Sequence, residues 1–240
     1  MIEGLSVLAI IPARGGSKGI PGKNLVELRG RPLLTWSVQA ALGSAYIDRL
    51  VVSSDSDRIL EAAAELGEEL PLRRPPELSQ DDSPAIAVVD HALSCLKWGA
   101  EGLAYDLVVL LQPTSPLRTT WDIDSAIERV VKEAAPSCVS VTRPRHHPAW
   151  MFRVAGRGEL RSLGMAESGA TRRQDLGDVY ALNGAVYVAR RDWLTRERSF
   201  VGAGTLAHVM PKERSVDIDS ELDLLVADAL LGSVRSDEGA

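Results

Sequence analysis

The chain lacks most of what would have pointed to other functions. It has two cysteines in 240 residues, Cys95 in a helical pattern and Cys138 in a strand pattern, too few for a disulfide framework and without metal-ligand spacing. No apolar run approaches the roughly 20 residues of a membrane span, and the first residues do not read as a secretory leader. A reduced, cytoplasmic protein with no membrane partner is therefore expected. Positive charge is not in excess: 27 Lys and Arg face 33 Asp and Glu, a net charge of −6, which argues against a nucleic-acid partner. No Ser-His-Asp arrangement or cysteine nucleophile is apparent, and no repeat. His146-His147 has no metal-ligand partner at helical or hairpin spacing and reads as loop. What remains is a chain of 25.9 kDa, 45% hydrophobic and 25% charged, large enough to bury its own core.

The most informative stretch is IPARGGSKGIPGKNL, residues 10–24. It follows the apolar run Leu5 to Ile11, which reads as a buried strand of a parallel sheet. Four glycines, Gly15, Gly16, Gly19 and Gly22, are interleaved with Arg14, Lys18 and Lys23. Glycines let backbone N–H groups approach an anion, and the cations attract it, so a polyphosphate is the expected guest. A Walker loop is excluded, because Ser17 and Asn24 stand where a glycine and a hydroxyl residue are needed, and G-x-G-x-x-G is absent. An ordinary basic strand-to-helix loop is the plainer alternative.

Beyond the loop, apolar runs alternate with amphipathic segments. Helices are expected over Leu33–Leu42, Asp57–Leu66, through His91 to Trp98, Trp121–Glu133 and Glu221–Leu231. Strands are expected at Leu50–Ser53, Leu107–Leu111, Cys138–Val141, Ala185–Val188 and Leu206–Met210, with a proline-rich connection over Pro71–Pro84. This rhythm predicts an α/β fold, a doubly wound, mainly parallel sheet binding ligands at the carboxyl ends of its strands. One domain is expected over 1–232, with 143–180 as an inserted excursion that lines the site and can meet a second subunit, and a disordered tail from Ser233 to Ala240.

Three further runs carry chemistry. In VDIDSELDLLVA, residues 216–227, an extended backbone points Asp217 and Asp219 to one side and Val216 and Ile218 to the core. Adjacent carboxylates repel unless a cation lies between them, and Mg²⁺ favours one or two carboxylates with phosphate oxygens. A capping role for Asp219 or Ser220, with Asp223, is the alternative, but it leaves Asp217 unexplained. In LLQPTSPLR, residues 110–118, Gln112 sits at a strand's carboxyl end, as a ligand group or as part of a plain turn. In TRRQDL, residues 171–176, Arg172 or Arg173 can grip a carboxylate, or simply stand in water. Asn183-Gly184 reads as a simple hairpin turn.

Taken in order, these runs, with RPPEL at 74–78, HHP at 146–148 and NGAVY at 183–187, resemble the acylneuraminate cytidylyltransferases, the CMP-sialic acid synthetases, along essentially the whole chain. The resemblance implies a Rossmann-like nucleotidyltransferase that moves CMP from CTP to a nonulosonic acid, releases pyrophosphate, needs Mg²⁺ and works as a homodimer. It implies a nucleotide-binding set of Ala13, Arg14, Gly15, Gly16, Ser17, Lys18, Lys23 and Asn24, with Arg74 and Ser83 near the base. It implies sugar-acid contacts from Gln112, Arg173, Gln174, Asn183 and Tyr187, a metal pair in Asp217 and Asp219, and catalytic roles for Arg14, Lys23 and that pair. Ala85 replaces a serine of several relatives near the base, and Ala181-Leu182 replace an Arg-Pro of many sialic acid enzymes. The particular acid therefore stays open. The rivals are a sister enzyme acting on 3-deoxy-octulosonate or using GTP, and a non-catalytic nucleotide-binding domain.

Overall fold

A computed structural model describes residues 1–237 other than 18, 81, 98–101, 103 and 164–175, with backbone alone for 233–237. The strands are β1 (Val7–Pro12), β2 (Glu27–Leu28), β3 (Arg31–Pro32), β4 (Arg49–Ser54), β5 (Pro71–Arg73), β6 (Leu107–Leu110), β7 (Ser137–Thr142), β8 (Phe152–Val154), β9 (Leu160–Ser162), β10 (Ala181–Arg190) and β11 (Leu206–Val209). The helices are α1 (Leu33–Leu42), α2 (Asp57–Leu66), α3 (Ala85–Cys95), α4 (Thr120–Lys132), α5 (Arg191–Glu197) and α6 (Glu221–Asp237).

Seven strands form the main sheet in the order β11-β7-β10-β6-β1-β4-β5. All run parallel except β10, which is antiparallel to both neighbours. The VLAIIP strand is apolar throughout because both faces of the sheet are covered. Val7, Ala9 and Ile11 pack with Leu34 and Val38 of α1, Ile59 of α2 and Ile127 of α4. Leu8 and Ile10 face the other way, onto Val88 and Val89 of α3 and Trp193 of α5. The chain winds from β1 out to β4 and β5, then returns to β6 on the other side of β1. That reversal opens a crevice at the carboxyl ends of β1 and β6, where such sheets bind ligands.

Differences from the sequence expectations have local causes. α3 ends at Cys95, short of Trp98, with Leu96 already extended. The proline-rich connection contributes β5, an edge strand whose first residue, Pro71, has no N–H to give the ladder. α6 runs to Asp237, past the Leu231 expected and into the stretch expected as a tail. Asn183-Gly184 makes no hairpin turn. It lies within β10, where the register against β7 shifts between Leu182 and Tyr187. Because β10 runs against its neighbours, the excursion from Arg143 leaves and rejoins the sheet at the crevice end. Within it stand a one-turn helix at Pro148–Trp150 and the antiparallel ribbon β8–β9.

Candidate active site

A cleft of about 430 Å³ occupies the crevice. Arg14, Ser17, Gly19, Lys23 and Asn24 of the opening loop line it, with Arg74, Leu78, Gln80 and Ser83 after β5 and Ala85 and Val88 of α3. Gln112, Pro113 and Thr114 continue from the end of β6, and Asp217 and Asp219 complete the lining. The opening glycine-rich run and the late aspartate couple therefore share one cleft.

Several contacts fix the loop. Gly22, at φ 63°, starts a short turn over Lys23–Leu25, a left-handed backbone suited to glycine. Buried Asn24 donates from Nδ2 to the Arg14 carbonyl at 2.9 Å, folding the loop onto itself. The Ala13 N–H donates to the Ser53 carbonyl, and the Gly15 N–H to Asp55 Oδ1 at 2.9 Å. Those two amides hold the loop in shape. Gly16 is exposed, with open space where a side chain would stand. Lys18 lies outside the described residues.

Lys23 joins the two motifs across 195 residues, donating from Nζ to the Ile218 carbonyl at 2.7 Å and to Asp219 Oδ1 at 2.9 Å. The close approach needs Gly19, since a Cβ there would lie 2.3 Å from the Asp219 carbonyl oxygen. Ile20 and Ile218 share a buried apolar cluster with Leu28, Leu33, Leu117 and Ala227, each buried isoleucine contributing about 2 kcal/mol. The Ile218 N–H also donates to the Thr114 carbonyl at 2.8 Å.

The two aspartates differ in setting. Removal from bulk water raises the Asp217 pKa, and the nearby Asp219 charge adds to the rise, although a Thr114 hydrogen bond and the Lys23 charge oppose it. Asp219 is 77% exposed, so its pairing with Lys23 breaks at little cost. The capping alternative belongs to Asp223, whose Oδ2 accepts from the N–H groups of Asp219 and Ser220 at 3.1 and 2.8 Å. The donor chemistry therefore suits a divalent cation: two carboxylates open to the cleft, one of them short of compensating charge.

Arg74 is 4% exposed and donates from Nε to Ser79 Oγ at 2.9 Å. Burial lowers its pKa, partly offset by Asp55, and neighbouring Arg14 lowers it further. Ser83 borders the cleft, but its hydroxyl closes a turn, accepting from the Gln80 N–H and donating to the Glu77 carbonyl. Gly184, at φ 73°, lies against Gln112; a Cβ there would come within 2.5 Å of Oε1.

Asn183 is 5% exposed and its side chain is fully engaged inside the protein. Its Oδ1 accepts from Ser140 Oγ at 2.6 Å and from the Ala185 N–H, and its Nδ2 donates to Ser215 Oγ at 3.0 Å. These bonds hold the backbone where the register of β10 shifts against β7. Tyr187 packs edge-on against Phe200, ring centroids 5.7 Å apart, and burial and the Asp217 charge raise its pKa. Arg173 and Gln174 lie outside the described residues.

Sequence reasoning missed Asp55, Thr114 and Arg118. Arg118 is fully buried, donating to Ser37 Oγ and to the carbonyls of Gln112 and Ser115, and burial lowers its pKa to about 9. Its position in LLQPTSPLR was visible, but nothing in that run says that it turns inward to hold the Gln112 turn.

Residues 8–154 match the family described as Cytidylyltransferase. The chain is 35% identical over 220 residues to the N-acylneuraminate cytidylyltransferase of Streptococcus agalactiae serotype III, a match covering 91% of this chain and 51% of that protein. It thus spans about half the length of the first curated relatives it matches. It is 33% identical to the CMP-N,N'-diacetyllegionaminic acid synthase of Legionella pneumophila, covering 95% of this chain and 97% of that protein. A solved structure of CMP:2-keto-3-deoxy-manno-octonic acid synthetase complexed with CTP superposes with a TM-score of 0.71 over 95% of this chain and 99% of that one. At 16% identity that likeness speaks for the fold alone. With more than half of its residues matched to the family and a relative aligned nearly end to end, the chain belongs to the cytidylyltransferase family.

Proposed function

We propose that this protein transfers CMP from CTP to the anomeric hydroxyl of a nine-carbon 2-keto acid sugar and releases pyrophosphate. The observation that carries the reading is the Lys23 bridge to the Asp217–Asp219 segment, which puts cations and carboxylates in one cleft. Arg14, Lys23 and Arg74 neutralise the triphosphate and the charge that builds on it. Leu78, Ala85 and Val88 offer apolar surface for the base. Gln112, beside Gly184, and Arg173 orient the sugar acid, so that its hydroxyl meets the α-phosphorus in line as pyrophosphate leaves. Asp217 and Asp219 would hold Mg²⁺, which would supply charge neutralisation on the triphosphate. Lys23 then exchanges its exposed bond to Asp219 for a phosphate oxygen.

The reading includes a homodimer formed through the excursion, supported by Trp150, Met151, Phe152, Val154 and Leu160, large apolar side chains exposed on it. It includes a cytoplasmic setting, supported by two free cysteines. The test is a pyrophosphate-release screen of each nucleoside triphosphate against eight- and nine-carbon 2-keto acids, including sialic, legionaminic and pseudaminic types. CTP with a nine-carbon acid is the pair expected to turn over. Release with only another triphosphate, or with none of the acids, would remove the reading.

A further inference from the structure

Outside the cleft lies a buried ionic cluster that the proposed chemistry does not use. Asp122, in the first turn of α4, is fully buried. Its carboxylate accepts from the Thr119 N–H at 2.9 Å and Thr119 Oγ1 at 2.7 Å, completing the cap of α4. It also accepts from His208 Nε2 at 3.1 Å and from two nitrogens of Arg214, Nε at 3.0 Å and Nη2 at 2.9 Å. Burial by itself would raise the Asp122 pKa, but the bonds from His208, Arg214 and Thr119 outweigh it and hold the carboxyl well below the usual range. The group therefore stays charged.

The cluster sits on both sides of the cleft's construction. Thr119 follows the run that carries Gln112 and Thr114, and Arg214 lies three residues before Asp217. Between Arg214 and Asp217, Ser215 Oγ takes the bond from Asn183. The bidentate grip on Arg214 fixes the direction in which the chain enters the aspartate couple, since a planar guanidinium bonded through two nitrogens cannot rotate freely.

We propose that Arg214, clamped by the buried Asp122 carboxylate, is a positioning residue that sets where Asp217 and Asp219 stand opposite the opening loop. The proposal rests on the metal reading given above. His208 holds the same carboxylate from β11 but is not part of the aspartate segment, so the two partners of Asp122 separate positioning from plain stability.

The test measures CTP binding to the intact protein by calorimetry, in EDTA and in Mg²⁺, for the wild type, Arg214→Gln, Arg214→Lys and His208→Ala. Arg214 is a third exposed, so its replacements leave no closed cavity. Arg214→Gln should bind CTP within about twofold of wild type in EDTA and lose about tenfold of the Mg²⁺-dependent tightening, as expected for groups that orient metal ligands. Arg214→Lys, keeping the charge without the two-nitrogen grip, should fall between. His208→Ala should melt at lower temperature and keep the tightening. Equal loss of tightening in Arg214→Gln and His208→Ala, or no loss in Arg214→Gln, overturns the proposal. A wild type whose CTP affinity ignores Mg²⁺ removes the metal reading itself, and the positioning role with it.

Discussion

Two aspartates, 95 positions apart in the chain, are treated in opposite ways by the fold. Asp122 is fully buried and surrounded by donors from Thr119, His208 and Arg214, and its pKa is driven down. Asp217 opens on the cleft beside another carboxylate, with one Thr114 hydrogen bond and a Lys23 charge in its favour, and its pKa is driven up. The framework site is saturated; the cleft site is left short of positive charge. A protein keeps unsatisfied charge where a ligand can complete it, because elsewhere the desolvation cost has no return.

The sharpest way to break the contrast is at the cleft. Asp217→Asn keeps the volume and removes one charge, and should lower the rate of pyrophosphate release from CTP at least about a hundredfold. Its fold, followed by circular dichroism, should be unchanged. Near-normal turnover would take Asp217 out of the metal role.

The next largest effect is expected in the framework. Asp122→Asn leaves Arg214 and His208 facing a neutral amide and should cost about 3 kcal/mol of unfolding free energy in urea at pH 7. An aspartate held below its unfolded pKa contributes stability above that value and loses it as pH falls through the folded pKa. The gap between wild type and Asp122→Asn should therefore close in strong acid. A gap constant with pH would mean that packing, not charge, is what Asp122 supplies.

Gly19→Ala and Gly184→Ala probe how closely the walls meet. The added methyl would press on the Asp219 backbone in one case and on Gln112 in the other. Gly19→Ala should reduce kcat/KM for CTP about tenfold, and Gly184→Ala should do the same for the sugar acid while also costing about 1 kcal/mol for its left-handed backbone. Equal losses for both substrates in both variants would show that the two walls are not distinct.

The smallest effect carries the opposite sign to Asp122. The folded Asp217 carboxyl holds its proton more tightly than the unfolded one, whose pKa is 3.8. Above the folded pKa the wild type is therefore penalised. Asp217→Asn should be slightly more stable than wild type at pH 7, and the advantage should vanish below about pH 3.8, a comparison that thermal unfolding across pH can make. A variant less stable at pH 7 would contradict the account of Asp217 as an uncompensated charge.

Much was legible in the residues themselves. The bounds of α1 and α2 match the hydrophobic periodicity residue for residue, since amphipathic spacing on a covered sheet leaves little choice. The opening loop and the Asp-x-Asp run stood out because unusual residues are concentrated within a few positions, and the fold brings both to one cleft. The internal bonds of Asn183 and Ser83 were not legible in the residues. An asparagine beside a glycine looks the same in sequence whether it meets a sugar or fills a shift in strand register, and only the partners, Ser140 and Ser215, distinguish the two.

From the order of residues alone came the α/β winding, the basic glycine-rich loop and the paired carboxylates, because each is written in short-range pattern. Folding in three dimensions decided which charges are satisfied. Lys23 reaches Asp219 across 196 residues and Arg214 reaches Asp122 across 92, and electrostatic compensation depends on distances in space that local sequence does not encode.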